Sequence, residues 1–375
     1  MSGSPPATLG RSFALSESQV SLVPSRFLAS RGSNRGFQIP VVENVTIGRT
    51  NANSIPRAIP QGHVLVLVSA FSCNYRDRAV AESLSAELNA SGKNAFIGFG
   101  SEFVGTVVRV GSEVKSLAEG DVVIPDCSYG EPGVGVVRGI PTNFASSRYL
   151  CVPASKLRRS KLLLTRSELA CFSLGAQTAV SMCRRSGFDP GEEVGITAGR
   201  SSTSMFLIQA VLAMGGRPVV FSSGAVPDYF GALSARIEWV QFSRQERDVE
   251  LRSVLGDRRL GVVLDPFFDV YAPHLLPQMA FGGRYVTCGI AAQGSAGNDA
   301  PRPELASVVF EAMLGNVSVV ANCLGLEEDL SRAIEFAQEG TMRPLGVQTF
   351  HASEVNRFSR VVFGSDLGPK SVCEY

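Results

Sequence analysis

The chain has 375 residues, 45% apolar and 18% charged, enough for two domains with sizeable cores. A net charge of +1 offers no basic face for nucleic acid and no electrostatic pull toward an acidic membrane, and no apolar run is long enough to cross a bilayer. Eight cysteines without one C-x-x-C pair point to packed thiols in a reducing, cytoplasmic setting rather than to a disulfide framework.

Residues 1–35 are rich in Ser, Gly, Pro and Arg, with Glu17 the one acid, and are expected to form a flexible N-terminal arm. The same composition also suits an organelle transit peptide. From Val64 to Ser160 the pattern is all-β: "HVLVLVSAFSCN", "EFVGTVVRVGSEV" and "EGDVVIPD" are short β-branched runs separated by turn residues, which predicts a small barrel. At Lys161 the period changes. "RSELACFSLGAQTAVSMCRRSG" predicts a helix capped by Ser167 and closed by Gly187. Alternation follows: strand Val194–Ala198, helix Thr203–Met214, strand Pro218–Ser222, helix Tyr229–Arg236, strand Trp239–Phe242, strand Gly261–Asp265, helix Ala272–Met279, strand Arg284–Cys288. This is the rhythm of a doubly wound parallel sheet. A helix at Glu327–Gln338 and a strand at Leu345–Phe350 close the chain.

The first αβ turn reads Ala198-Gly199-Arg200-Ser201-Ser202-Thr203-Ser204, with one glycine where dinucleotide-binding turns carry three. Backbone N–H groups at a helix start bind phosphate whatever the side chains, so Gly199 is expected to supply conformational freedom and Ser201, Ser202 and Thr203 to cap the helix and donate to phosphate oxygens. Ser204 stands where the last glycine normally lets helix and strand pack closely. The alternative is a capped helix start without a ligand. At the end of the next strand, Ser222 and Ser223 replace the acid that binds a ribose 2′-hydroxyl, and Arg200 or Arg244 offers a cation; together they point to NADP rather than NAD. The alternative is that the serines only form a turn.

Taken in order, "CNYRD", "GSEFVGTVVRVGSEVKSLAEGDVVI", "GEEVGITAGRSSTSMFLIQAVLAMGGRPVV", "GVVLDPFFDVYAPHLLPQMAFGGRYVTCGI" and "LGLEEDLSRAIEFAQEGTMRPL" resemble the medium-chain dehydrogenase/reductase superfamily, in its quinone-oxidoreductase-like and enoyl-reductase-like branch. The resemblance runs from about Gly62 to the end. It implies an α/β chain with a GroES-like β-barrel catalytic domain over 36–160 and 301–375, a Rossmann nucleotide-binding domain over 161–300, and an active site between them. It places the Asn74-Tyr75-Arg76-Asp77 turn under the nicotinamide, with Asn74 orienting a substrate carbonyl, Tyr75 or Arg76 stabilising an enolate or giving a proton, and Asp77 fixing the arginine. Tyr75 reads equally as a packed ring, and Arg76–Asp77 as a local ion pair. Thr178 matches a family threonine near the nicotinamide, and the Gly289-Ile290 backbone is expected to approach its carboxamide.

The departures from the zinc-dependent members exclude a metal. Their G-H-E is Gly100-Ser101-Glu102 here, Asn74 stands at a cysteine ligand, and only Cys127 lies near the structural-zinc lobe. Cys73, Glu102 and Cys127 share no recognised ligand spacing; two packed cysteines and a surface glutamate are expected. Cys73 has no sequence-adjacent histidine to make it reactive, and Asp265 is read as capping the turn before Pro266. The expectation is therefore a zinc-independent NADPH-dependent reductase of an activated C=C, C=N or quinone-type small molecule, with a homodimer as the family's habit. The segment between Asp77 and Gly98 departs from the family, which suggests an unusual substrate. The other reading is an inactive relative that binds or scaffolds.

Overall fold

The computed structural model describes residues 20–29, 40–49, 59–80, 99–133, 137–242, 253–291, 305–363 and 369–375. Arg244, the substrate-side segment 81–98 and the first 19 residues lie outside them.

Strands β1 (Val20–Ala29) and β2 (Pro40–Arg49) pair antiparallel, so part of the stretch expected to be a loose arm is a hairpin strand. The barrel follows with β3 (His63–Ser72), β4 (Glu102–Val110), β5 (Val122–Pro125), β6 (Tyr149–Pro153) and β7 (Leu157–Arg159). β3 pairs along one edge with β4 and divides the other between β6 and a strand from the tail, β15 (Ser371–Glu374). β14 (Gln348–His351) adds beside β15. Val64, Val66, Val68, Phe71, Phe103, Val107 and Phe350 share the core beneath these strands with Phe358 of α7 (Val355–Phe363), the chain's last helix.

The expected helix after Lys161 is two helices. Thr165, not Ser167, caps α1 (Arg166–Leu169) in a reciprocal box with Glu168. The chain then turns into α2 (Ser173–Ser186), and Gly187 ends it in the left-handed conformation at φ 57°. Six parallel strands follow: β8 (Glu193–Ile196), β9 (Arg217–Ser222), β10 (Glu238–Gln241), β11 (Leu260–Asp265), β12 (Met279–Thr287) and β13 (Ser318–Ala321). Their order is β10-β9-β8-β11-β12-β13, so the winding reverses between β8 and β11 and a crevice opens at their carboxyl ends. α3 (Ser202–Ala213) connects β8 to β9. The segment after β9 is a 3-10 stretch, Asp228–Arg236, broken at Gly231, rather than an α-helix. α4 (Phe268–Leu275) begins four residues before the expected helix, and β12 takes Met279 as its first residue.

The parallel sheet continues past residue 300. β13 pairs with β12, and Ala333 and Phe336 of α6 (Glu327–Gln338) enter the same core as Ile196, Phe206 and Leu264. β13 is only four residues long and three of them are exposed, so it shows no burial period. Among the described residues no helix is long and apolar enough to cross a membrane.

Candidate active site between the two domains

The carboxyl end of β8 is closed by a short, self-bonded loop. Ala198 takes the left-handed φ of 50°, not Gly199. Gly199 is needed for space: a Cβ there would lie 2.4 Å from Val220 Cγ1 and 2.8 Å from the Trp239 ring. The Ser201 hydroxyl accepts from the Ser204 N–H at 3.1 Å and caps α3. Ser204 does not push the helix away. Its hydroxyl donates to the Thr197 carbonyl at 2.7 Å and is fully buried, so it ties helix to strand where a glycine would merely allow the approach. Since Met205 N–H takes the Ser201 carbonyl, the N–H groups of Ser202 and Thr203 are left as the open donors of the helix start.

Arg200, Ser201, Ser202 and Thr203 line one side of a cavity of about 280 Å³. The Arg200 guanidinium lies over the turn after β9, where a Cβ on Gly224 would be 2.6 Å from its Nη1. Ser222 is buried, with its hydroxyl toward the Gly224 N–H at 3.4 Å, and neither it nor Ser223 is among the lining residues. Trp239, the chain's single tryptophan, donates to the Gly224 carbonyl at 3.0 Å and so stands directly behind this loop.

At the next strand ends the floor is Pro266, Phe267, Cys288, Gly289 and Ile290. Gly289 again provides space, since a Cβ would meet the Pro266 carbonyl at 2.5 Å. Asp265 holds both halves of this floor together. Its carboxylate accepts from Thr197 Oγ1 (2.5 Å), Tyr285 Oη (2.6 Å) and the Phe267 N–H (2.8 Å). Burial pushes its pKa up to about 6 against the downward pull of those three donors. Thr178 also lines the cavity, its hydroxyl donating to the Leu174 carbonyl at 2.7 Å.

The opposing wall is the Asn74–Asp77 turn of the barrel domain. Asn74 spends both amide donors inside the protein, on Ser101 Oγ (3.1 Å) and Glu102 Oε2 (3.0 Å), so the expected donation to a substrate carbonyl has no hydrogen left to make it. Its Oδ1 accepts from Lys370 Nζ at 2.6 Å. Lys370 also donates to the Cys73 carbonyl at 2.8 Å and lies 3.5 Å from Glu102. Glu102, expected at the surface, is fully buried and accepts from the Leu174 N–H at 2.8 Å. Asp77 is buried and out of the cavity wall; it accepts from the Asn74 N–H (2.8 Å) and Ser101 Oγ (2.6 Å) and holds Arg76 Nη1 at 2.8 Å. Burial raises its pKa, while those hydrogen bonds and the charges of Arg76 and Lys370 pull it down. Tyr75 reaches across the cleft. Its hydroxyl donates to the Ala291 carbonyl at 2.6 Å, and its ring meets Phe267 edge-on at 5.2 Å.

The cavity thus gathers Asn74, Tyr75, Arg76, Thr178, Arg200, Ser201, Ser202, Thr203, Gly289 and Ile290, and leaves Asp77, Gly199, Ser222 and Ser223 behind its wall. Residues 60–160 match the family model of the alcohol dehydrogenase GroES-like domain. The chain is 25% identical over 260 residues to quinone oxidoreductase-like protein 2 of Bos taurus, covering 68% of this chain and 70% of that one. A solved NAD-dependent alcohol dehydrogenase superposes with a TM-score of 0.73 at 21% identity, over 95% of this chain and all of that one. The CurK enoyl reductase superposes at 0.68 and 18% identity, over 95% and 98%.

Together these likenesses support the medium-chain dehydrogenase/reductase superfamily. That puts it among oxidoreductases, whose superfamily works with a nicotinamide cofactor. The two-domain α/β fold agrees, with a GroES-like barrel and a Rossmann sheet.

Within this superfamily frame, Lys370, Glu102, Asn143 and Leu324 are wall or support residues that sequence reasoning missed. Lys370 sits in "LGPKSVCEY", for which no element is expected, and its contacts are 296 and 297 positions away. Leu324 lines the cavity with a left-handed φ of 54°, a conformation that nothing in "NCLGL" announces.

Proposed function

We propose that the protein is an NADPH-dependent, zinc-independent reductase that delivers hydride to an activated C=C, C=N or quinone-type small molecule. The observation that carries the cofactor choice is Arg200. Its guanidinium covers the turn after β9, which opens on Ser222 and Ser223 rather than on an acid. A dinucleotide fits the cleft: the α3 N–H groups face the cavity, and Gly199 and Gly289 sit where any side chain would collide.

When bound, the cofactor supplies the hydride. The chain's own part is holding and orienting. The Ser202 and Thr203 N–H groups would hold the pyrophosphate and Arg200 the 2′-phosphate. Pro266, Phe267, Gly289 and Thr178, which line the same cavity, would hold the nicotinamide. Tyr75 keeps its hydroxyl proton on the Ala291 carbonyl and narrows the mouth of the cleft. Arg76, fixed by Asp77, turns its remaining N–H groups to the substrate. Zinc-independence rests on donor chemistry. The Lys370 ammonium touches Asn74 and stands 3.5 Å from Glu102, so a positive charge already sits among the groups a divalent ion would need. Burial pushes the Cys73 thiol far up, with Asp77 adding to the shift, which opposes a thiolate ligand.

A homodimer is proposed on the β13 side of the Rossmann sheet. There Phe310 (56% exposed), Met313 (71%) and Leu314 (62%) lie on α5 (Leu305–Leu314), the helix that leads into β13, the last strand of the sheet among the described residues. Light scattering should give twice the 39.9 kDa chain mass, and a monomer would reject it. The cofactor assignment is tested by titrating NADPH and NADH against Trp239 fluorescence; NADH binding as tightly as NADPH would overturn it.

A further inference from the structure

The cleft carries cations on both sides, and only one side is accounted for by the cofactor. Among the described residues the cavity wall includes Arg76, Arg78, Arg200 and Lys370 and not one carboxylate. Lys370 is spent on Cys73, Asn74 and Glu102. Arg200 stands at the β8–β9 strand ends, beside the helix start that faces the cofactor's phosphates.

Arg76 belongs to the barrel-domain turn. It follows Tyr75, whose hydroxyl donates to the Ala291 carbonyl beyond the end of β12, and it bonds to Asn143 of the barrel domain. In the sheet order β8-β11-β12, the end of β12 is two strand spacings from β8, about 10 Å. Arg76 is thus held on the barrel side of the cleft, apart from the α3 N-terminus.

Arg76 is also built as a receptor. Its Nη1 donates to Asp77 Oδ1 at 2.8 Å and to Asn143 Oδ1 at 2.9 Å, which fixes the plane of the guanidinium from two domain-interior sides. Asp77 is itself clamped by Ser101 and the Asn74 N–H. No acceptor among the described residues takes the Nε or Nη2 hydrogens, and the side chain lines the cavity at 30% exposure. A rigid guanidinium with unspent N–H donors facing a carboxylate-free cavity suits a bidentate oxyanion.

We infer that the substrate carries a permanent oxyanion, a carboxylate or phosphate, which docks on Arg76 on the barrel-domain side of the cleft while its reducible bond lies toward Gly289. This rests on the reductase reading above and narrows its substrate class from any activated small molecule to an anionic one.

The test is binding to the full-length protein by calorimetry, with NADP⁺ present. The probes are 4-oxo-4-phenylbutanoate and its methyl ester, which differ only in the charge. The acid should bind about tenfold tighter or more, the lower end of what a charge-assisted hydrogen bond provides. Arg76→Gln should bring acid and ester within about twofold, and Arg76→Lys, which keeps the charge beside Asp77 and guards against a folding artefact, should retain part of the preference. Coenzyme A that competes with the acid, in an Arg76-dependent way, assigns the oxyanion to a carrier phosphate; acid binding untouched by coenzyme A assigns it to the substrate's own carboxylate. An ester that binds as tightly as the acid, or a preference that survives in Arg76→Gln, overturns the inference. Loss of NADPH binding with the acid preference intact would instead sink the reductase reading alone.

Discussion

The two turns that face each other across the cleft are built by opposite means. The helix start at the Thr197–Ser204 loop is closed locally: Ser201 to Ser204 and Ser204 to Thr197, within seven positions, with Thr197 also reaching Asp265. The Asn74–Asp77 turn holds its shape through residues up to 296 positions away, by way of Lys370, Glu102 and Asn143. A local loop can lose its glycines and recover the packing with a hydroxyl. A turn assembled from three chain segments has no such local remedy, because each buried charge depends on a partner that folds from elsewhere.

The sharpest way to break this contrast is Glu102→Ala. It leaves Lys370 as a buried ammonium without its carboxylate, and should cost roughly 3–5 kcal/mol of stability. Denaturant unfolding measures it. A loss below about 1 kcal/mol would mean that the barrel-side turn is as self-sufficient as the phosphate loop.

Asp265 joins the loop to the floor and gives the second effect. Its folded pKa, about 6, lies above the ordinary carboxylate value of 3.8. The folded state therefore favours the protonated form, and the ionised carboxylate costs stability as pH climbs from about 4 to 6, with no further change above. That two-unit gap is worth roughly 3 kcal/mol. Asp265→Asn has no such cost. Relative to wild type, the variant should gain up to that amount between pH 4 and 6, read from melting curves at each pH. A difference between the two proteins that does not vary with pH would show that the burial argument is wrong.

Ser201→Ala should be the mildest. It removes one cap of α3 and should cost about 1 kcal/mol, with a matching loss in NADPH affinity because the open N–H donors lose their fixed direction. Destabilisation as large as that of Glu102→Ala would erase the distinction between the two turns.

The same contrast explains what could be read in the sequence. Apolar runs displayed β3, β4, α3 and β11 because each is buried along most of its length. They did not display β13, a four-residue strand with three residues exposed, which extends the parallel sheet past residue 300. The phosphate loop was legible down to its capping serine, although the left-handed residue is Ala198 and the glycine is there for Trp239. Of the groups read as pointing to NADP, Ser222 is buried and outside the cavity wall, and Arg200 covers the turn, so the proposal of NADPH rests on Arg200 alone. The Asn74–Asp77 turn was legible as a motif but not as a mechanism. Whether Asn74 has a hydrogen to spare depends on Ser101 and Glu102, 27 and 28 positions on. Nothing in "CNYRD" states that.

The most direct test of the account is the fluorescence of Trp239, whose indole packs against Gly199 and bonds to the turn that Arg200 covers. Titrated with NADPH and NADH, the wild-type protein should prefer NADPH by about tenfold or more, the lower end of a charge-assisted contact. Arg200→Gln should erase that preference while leaving NADH affinity within about twofold. NADH binding as tightly as NADPH in the wild type, or a preference unmoved by Arg200→Gln, would contradict it.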